Sequence, residues 1–582
     1  MKKILRSFRT CWPEMLIILL CAVMLSIGIA GKKGYHMDEM LSFELANAEF
    51  NPWIVPTQPQ GRLAKFVERE IRGGSFGETV SNIWGTFTDV LKNKGNSKLL
   101  SYQADVYPEP VWIERETFWK YVTVDRVDDF NYLSVYFNVK DDNHPPLHFM
   151  VLHTVSSLFQ GRMEAWMGCS INLFCVLGSM LLLMRLGRMC MVILGAPDRG
   201  RLVGDGTALL YGLSAGAMST TLLIRMYAML TFFCVLLLLL HLKKLYAKEL
   251  GLVNFEKNNK LLILATVLGF WTQYFFLFYC LPLAFFTAVY LWRNDRKKEL
   301  IRYVISMVTA AVIGVAVFPF AISDVFSSGR GVEALQNLAS GLSGYGERIG
   351  TFLWILGMGC GMLGILVLLL IGLAGGVRRE KEQAARREIW TLLIFPPVIY
   401  FLLAAKMSPF LVDRYIMPLF PLLILALCVS AAFSLTRWVS AKSGRQVKAL
   451  YVTFGLLACS QLAMPGHFDN EYLFPEYEEQ EQIAAEYGEL PCICVCEGQS
   501  YYKNLPEFMQ YEKTLVLTLD ELKNRQDDMA ELNEVVVLVK DRDRLSDITL
   551  ALGEYGMYPE KTVFSSDRNG GDTILLFGKG EE

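Results

Sequence analysis

The chain has 582 residues, of which 53% are apolar, with a mean hydropathy of +0.32 and a net charge of −2. That composition excludes an ordinary soluble globular protein and a basic nucleic-acid binder. The charge is split: from residue 466 onward there are 26 acidic and 10 basic residues, so the preceding part carries about +14. Two domains are expected, a membrane body over 1–465 with basic loops and an acidic, water-soluble tail over 466–582.

Met1-Lys2-Lys3, Arg6 and Arg9 precede the first apolar run at about 14–30. The run is long for a signal peptide and Gly31-Lys32-Lys33-Gly34 offers no small-residue cleavage site, so it reads as a retained membrane helix with its basic end in the cytoplasm. Further apolar runs lie at about 165–184, 206–223, 226–242, 260–277, 279–292, 303–322, 351–375, 390–405, 415–434 and 448–464, with a weaker one at 145–159. Many approach the roughly 20 residues that cross a bilayer core. About 11–13 spans are expected, in a mainly α, polytopic transmembrane helical bundle with a C-terminal soluble α/β domain.

Basic loops mark the cytoplasmic side at 185–201, 243–248, 293–302, 378–387 and 437–448. The stretches 225–227, 273–274, 323–348, 407–414 and everything after 465 then lie outside. Residues 31–143 form a long external loop. If 145–159 crossed inward, 165–184 would carry Arg185 and Arg188 to the outer side. The scheme is consistent if 145–159 does not fully cross, or if a boundary between 160 and 225 falls elsewhere.

Within the loop, 76–91 and 111–121 are amphipathic and aromatic, which suits short interfacial helices with Trp84, Trp112 and Trp119 at headgroup level. The tail alternates β-rich runs (492–496, 514–519, 535–539, 573–577) with helix-like stretches (475–487, 520–532, 541–555). Thirteen cysteines scattered along the chain make no disulfide framework. Cys492, Cys494 and Cys496 alternate, so they share one face of a strand, a spacing unsuited to a closed zinc site.

The residues that carry chemistry stand at the ends of the apolar runs. Asp38 and Glu39 follow the first run directly, and a carboxylate there can take a proton from an acceptor hydroxyl. Asp142-Asn143-His144-Pro145-Pro146-Leu147 opens the run at 145–159, with prolines suited to a helix's first turn. Arg225 lies between two runs with Tyr227 just inside the second, Gln273 and Tyr274 lie near the end of the run at 260–277, and Arg414-Tyr415 opens another. Arginine has a fixed fork of donors and keeps its charge, which suits a lipid-borne phosphate.

The Asp-Glu pair and the Asp-x-His-Pro-Pro-Leu stretch together resemble the polytopic, lipid-linked-sugar glycosyltransferases of GT-C fold, family 39-like, in the protein O-mannosyltransferase and aminoarabinose-transferase branch. The likeness covers roughly residues 10–440 in pattern and a few dozen residues in motif. It implies an integral-membrane enzyme of the cell envelope that moves a hexosyl or pentosyl group from a polyprenyl-phosphate donor to an extracytoplasmic acceptor, with inversion. Asp38, with Glu39, would be the catalytic pair. Asp142, His144, Arg225, Tyr227, Tyr274, Arg414 and Tyr415 would bind substrate. Relatives often carry His-Tyr where this chain has Gln273-Tyr274, so a histidine acid or base at that place is excluded.

His144 and His148 are four apart, a spacing that can put two metal ligands on one helix face. Proline-anchored histidines at a polar mouth more often bond carboxylates, and the mannosyltransferase relatives do not depend on an embedded metal, so no cofactor is expected. The expected partners are the lipid-linked donor, the bilayer, and a protein, lipid or wall-polymer acceptor. The rival reading, a transporter or flippase of lipid-linked substrates, leaves unexplained a 113-residue loop bracketed by Asp-Glu and His-Pro-Pro. It would also call for paired Gly/Pro-broken helices, which the runs do not show.

Overall fold

The structure is a computed structural model of the chain. It describes every residue except 1, 53, 58–62, 94–95, 103–108, 253–258, 328, 377–386, 439–442, 465, 567–571 and 581–582. Nearly all of the basic loop expected at 378–387 lies outside the described residues, as does part of 437–448.

The chain forms two compact units that interleave along the sequence. One unit holds Met1–Gly31, Lys140–His148 and Gly168–Leu473, and the other Lys32–Val139, Phe149–Met167 and Phe474–Glu582. The boundary expected at 465/466 leaves the 31–143 loop with the membrane body. The contacts group most of that loop with the tail instead.

The first unit is helical. Among the described residues, six helices are long and apolar enough to cross a membrane, or seven if one bent pair counts as a single span. Four shorter apolar helices are also present among the described residues, Lys260–Thr272 in the first unit and Leu147–Leu158, most of which belongs to the second, among them. The expected 11–13 spans are therefore not all single long helices. Leu16, Leu20, Val23 and Ile27 of the helix Lys2–Ala30 are exposed, as a face turned to hydrocarbon requires. This is a membrane protein.

Two expected runs are broken, and each break has a local cause. Run 206–223 splits into Gly200–Gly212 and Ala215–Leu222, because the Ser214 side chain caps the second helix at Ala217. Run 351–375 splits into Tyr345–Cys360 and Met362–Gly376, bent by 93° at Gly361. Gly361 has φ +81°, a conformation that strains any residue with a Cβ, and a Cβ there would also displace the Gln461 amide. The Gln461 amide donates to the freed Cys360 carbonyl at 2.7 Å, which satisfies it inside an apolar bundle.

Glu14, at the start of the apolar part of the helix Lys2–Ala30, bonds both Arg188 and Arg201. The 185–201 loop therefore lies at the same end of the helices as the chain's N-terminal segment. Leu147–Leu158 has only 12 residues, too few to span a bilayer core. A helix of that length fits the expectation in which 145–159 does not fully cross.

The second unit is built on a six-stranded sheet, in the order β1-β3-β2-β4-β6-β5. The strands are β1 Ile113–Glu114, β2 Cys492–Val495, β3 Lys513–Leu517, β4 Glu534–Val539, β5 Met557–Ser565 and β6 Thr573–Lys579. β2 runs parallel to both β3 and β4, and β6 and β5 close one edge antiparallel. Ile493, Val495, Leu515, Val537, Leu552 and Phe577 are among its buried core. The three alternating cysteines are buried, as expected of a strand face.

The loop segment completes this sheet. β1 pairs antiparallel with β3, matching Ile113 to Thr514 and Glu114 to Lys513. Trp112 donates its indole N–H to Asp528 at 2.9 Å and Trp119 to the Met509 carbonyl at 3.2 Å. These two indoles, expected at headgroup level, are spent on the tail. Tyr501 and Tyr502 both donate to the Ile54 carbonyl.

Candidate active site

In the first unit the Asp142 segment ends in a tight turn. Asn143 has φ +62°, a left-handed conformation that asparagine tolerates well. Pro145 and Pro146 are buried immediately ahead of Leu147–Leu158 and fix where that helix begins. The turn brings the His144 Nδ1 to 2.9 Å from the Asp142 carboxylate, and Arg225 Nη2 approaches the same nitrogen at 3.4 Å.

Arg225 stands where the chain leaves Ala215–Leu222 and enters Tyr227–Leu245. Asn172 holds that junction by donating to the Leu223 carbonyl at 2.5 Å and the Thr221 carbonyl at 3.3 Å. Arg225 is only 4% exposed, so its charge sits in a setting of reduced dielectric.

The aromatic candidates join this cluster. Tyr227 meets Tyr415 edge-on at 6.2 Å between centroids, and Phe275 meets Tyr415 at 5.3 Å with the rings tilted by 33°. The Arg414 guanidinium lies 5.4 Å from the Tyr415 ring centroid. Tyr400 donates to the Tyr415 carbonyl at 2.9 Å. Asp413 accepts from the Tyr472 hydroxyl at 2.5 Å. Burial pushes its carboxyl up to about 6, against hydrogen bonds from Tyr472 and Ser219.

Tyr274 donates to Asp324 at 2.6 Å. Its hydroxyl is held well above the usual range by burial first, then by the charges of Asp324 and Asp142. Asp324, 3% exposed, is a member that the sequence reading missed. Its only sequence signal was an acid beside Phe318-Pro319-Phe320 at the start of the external stretch 323–348. Gln273 turns inward and accepts from the Phe275 N–H at 3.3 Å, so its side chain serves the start of the next helix.

All seven residues expected to bind substrate thus fall in the first unit. Asp142, His144 and Arg225 form one polar chain, and Tyr227, Arg414 and Tyr415 one aromatic–cation group. Arginines of this kind are chemically able to hold an oxyanion, and carboxylates, imidazole and phenols are able to hydrogen-bond a polyol.

Asp38 and Glu39 fall in the second unit, in the first turn of Met37–Asn47. They are not equivalent. Glu39 is fully buried, accepts from Lys32 Nζ at 3.0 Å and from the His36 N–H at 2.6 Å, and closes a capping box with His36. The Asp38 N–H donates to His36 Nδ1 at 3.0 Å, while its carboxylate, 3.5 Å from that nitrogen, keeps partial exposure. Lys32, which also lies 4.9 Å from the Phe474 ring centroid, was another residue missed. Among the described residues no group of three or more His, Cys, Asp or Glu side chains is arranged to hold a metal ion.

Fold and site define a mainly helical membrane protein with an added α/β unit. No family model matches the chain, and no curated protein matches it. A solved structure to which it is similar is that of ArnT from Cupriavidus metallidurans in the apo state, at 14% identity and a TM-score of 0.43. The match covers 75% of this chain and 87% of that one. A likeness at that score decides neither fold family nor activity.

Proposed function

We propose that the protein is an integral-membrane glycosyltransferase of GT-C type that moves a sugar from a polyprenyl-phosphate donor to an extracytoplasmic acceptor. The observation that carries this reading is the Asp142–His144–Arg225 chain at the mouth of the helices. The Asp-x-His-Pro-Pro-Leu motif is folded into a contact with a nearly buried arginine.

In this reading Arg225 and Arg414 hold the phosphate that leaves. A bond forms between the acceptor oxygen and the anomeric carbon as the bond from that carbon to the phosphate oxygen breaks, in one inverting displacement. Asp38 takes the acceptor's proton. Polyprenyl phosphate departs as a weakly basic anion, which lowers the need for an acid. Asp142, His144, Tyr227, Tyr274 and Tyr415 orient donor and sugar. Glu39, already held by Lys32 and the His36 N–H, supports the turn that presents Asp38.

The N-terminal cluster and the loops at 185–201 and 293–302 are cytoplasmic, and the second unit is extracytoplasmic. Impermeant labelling of cysteines engineered in the tail should succeed in intact cells. Protection of the tail equal to that of the 378–387 loop sinks this topology.

Incubating the purified protein with a polyprenyl-phosphate sugar tests the activity. Release of polyprenyl phosphate with sugar on an acceptor supports transfer. Movement of intact donor between leaflets without cleavage would place the protein among the flippases.

A further inference from the structure

The sheet of the second unit contains a feature that the transfer reaction does not use. The chain runs from β2 to β3 on one side, then crosses to β4 on the other, so both neighbours of β2 are parallel to it and the winding reverses there. In sheets wound this way, ligands bind in the crevice beyond the carboxyl ends of the strands at the reversal. A cavity of about 340 Å³ opens at that place.

Its lining is unusual for this part of the chain. In a tail with 26 acidic and 10 basic residues, Lys503, Lys540 and Arg544 converge on one cleft. Lys540 follows β4 and is anchored from behind by Asp572 at 2.6 Å and Asn504 at 2.7 Å. An ammonium has three donors, and these contacts use two. Lys503 forms no ion pair among the described residues. Its ammonium is held below its ordinary range by burial, then by the charge of Lys540. Glu497 and Asp541 also line the cleft and pair with Arg544 at 3.0 and 3.7 Å, but all three side chains are well exposed, and such surface pairs contribute little.

The remaining walls suit a polar ring. Ser500 offers a hydroxyl, and Val495, Leu519 and Ile548 give an apolar surface. The Cys496 thiol also lines the cleft, lowered by its hydrogen bond with Cys494 and further by Ser500 and the Lys540 charge. The volume is at the small end of the range for small-molecule sites.

We propose that this cleft binds a small, sugar-sized anion, with its phosphate or carboxylate among Lys503, Lys540 and Arg544 and its ring against Ile548 and Leu519. The proposal is independent of the transfer reaction, since none of these residues belongs to the site described above.

Calorimetry and thermal shift on the full-length protein in detergent test it, with glucose 6-phosphate, glucuronate, inorganic phosphate and neutral glucose as probes. Saturable binding of glucose 6-phosphate or glucuronate is expected, with glucose inert. Preference between these two tells a phosphate-bearing ligand from a carboxylate-bearing one. Inorganic phosphate alone should bind more weakly than the better sugar anion. Lys503→Ala and Arg544→Ala should each weaken binding about tenfold and leave the unliganded melting temperature unchanged. Absence of saturable binding by both sugar anions, equal binding of glucose, or wild-type affinity in both variants would overturn the assignment.

Discussion

The imidazole Nδ1 of His144 lies 2.9 Å from the Asp142 carboxylate, and that contact selects which ring nitrogen carries the proton. A carboxylate can only accept, so Nδ1 donates to it. Arg225, a donor at 3.4 Å, then meets that nitrogen by proximity, and Nε2 is left as the acceptor. In the proposed reaction Asp142 is the orienting member of the pair and His144 the one presented to substrate.

Asp142→Asn should loosen that orientation and leave the fold intact. Losing a hydrogen bond to a charged group costs roughly 1.5–3 kcal/mol, on the order of 10- to 100-fold in kcat/KM. Steady-state transfer assays with a melting curve check this. Wild-type specific activity in a destabilised protein would make Asp142 structural.

Asp38 and Glu39 should separate cleanly. Asp38→Asn should lower the transfer rate by about 10²–10⁴ with donor binding and melting temperature largely kept, because the amide keeps the shape and removes the base. Glu39→Gln breaks a fully buried pair with Lys32 and should cost about 3–5 kcal/mol of stability. Equal losses of activity at equal stability would return Glu39 to the chemistry.

Arg414→Lys keeps the charge and loses the planar fork that grips a phosphate. Donor affinity should fall in Arg414→Ala and recover only in part with lysine. Asp413→Asn should be mild, because Asp413 is already engaged by the Tyr472 hydroxyl. Wild-type donor affinity in Arg414→Ala would remove this residue from the phosphate site.

Glu507 gives a pH signature in the second unit. Burial pushes its carboxyl up to about 8, against lowering by its own backbone and by Lys540. A folded-state value above the unfolded one near 4.3 means that the neutral acid is favoured by folding. That stability is fully present below about pH 4 and is lost as pH rises through 8. Glu507→Gln keeps the neutral shape, so its melting temperature should fall less than wild type's between pH 5 and 8.5. Parallel curves would show that Glu507 does not titrate in this window.

Much of the architecture was legible because burial imposes a pattern. β2, β3, β4 and β6 match the expected runs to within two residues, since each carries a continuous apolar stretch. β5 escaped notice because it is largely exposed, contains Pro559 and is irregular in register. β1 is two residues long and pairs with a strand some 400 positions later, a contact that no local signal announces. That pairing is also why a boundary drawn on composition at 465/466 does not follow the packing.

The candidate site's residues were legible in motifs, and the partners that the structure gives them were not. Asp142, His144, Arg225 and Arg414 stand out as charges at the ends of apolar runs. Asp324 and Lys32 do not, because their roles depend on Tyr274 and Glu39 coming to them in the fold. The His36–Glu39 capping box was hidden by its histidine, where serine or threonine is usual.

The most direct test is mass spectrometry of lipid extracts from cells lacking the gene. A polyprenyl-phosphate sugar should accumulate, and re-expressing the wild-type protein should clear it. Asp38→Asn, expressed to the same level, should leave it in place. No accumulation, or clearance by Asp38→Asn as complete as by wild type, would contradict the account of this protein as a transferase that uses Asp38 as its base.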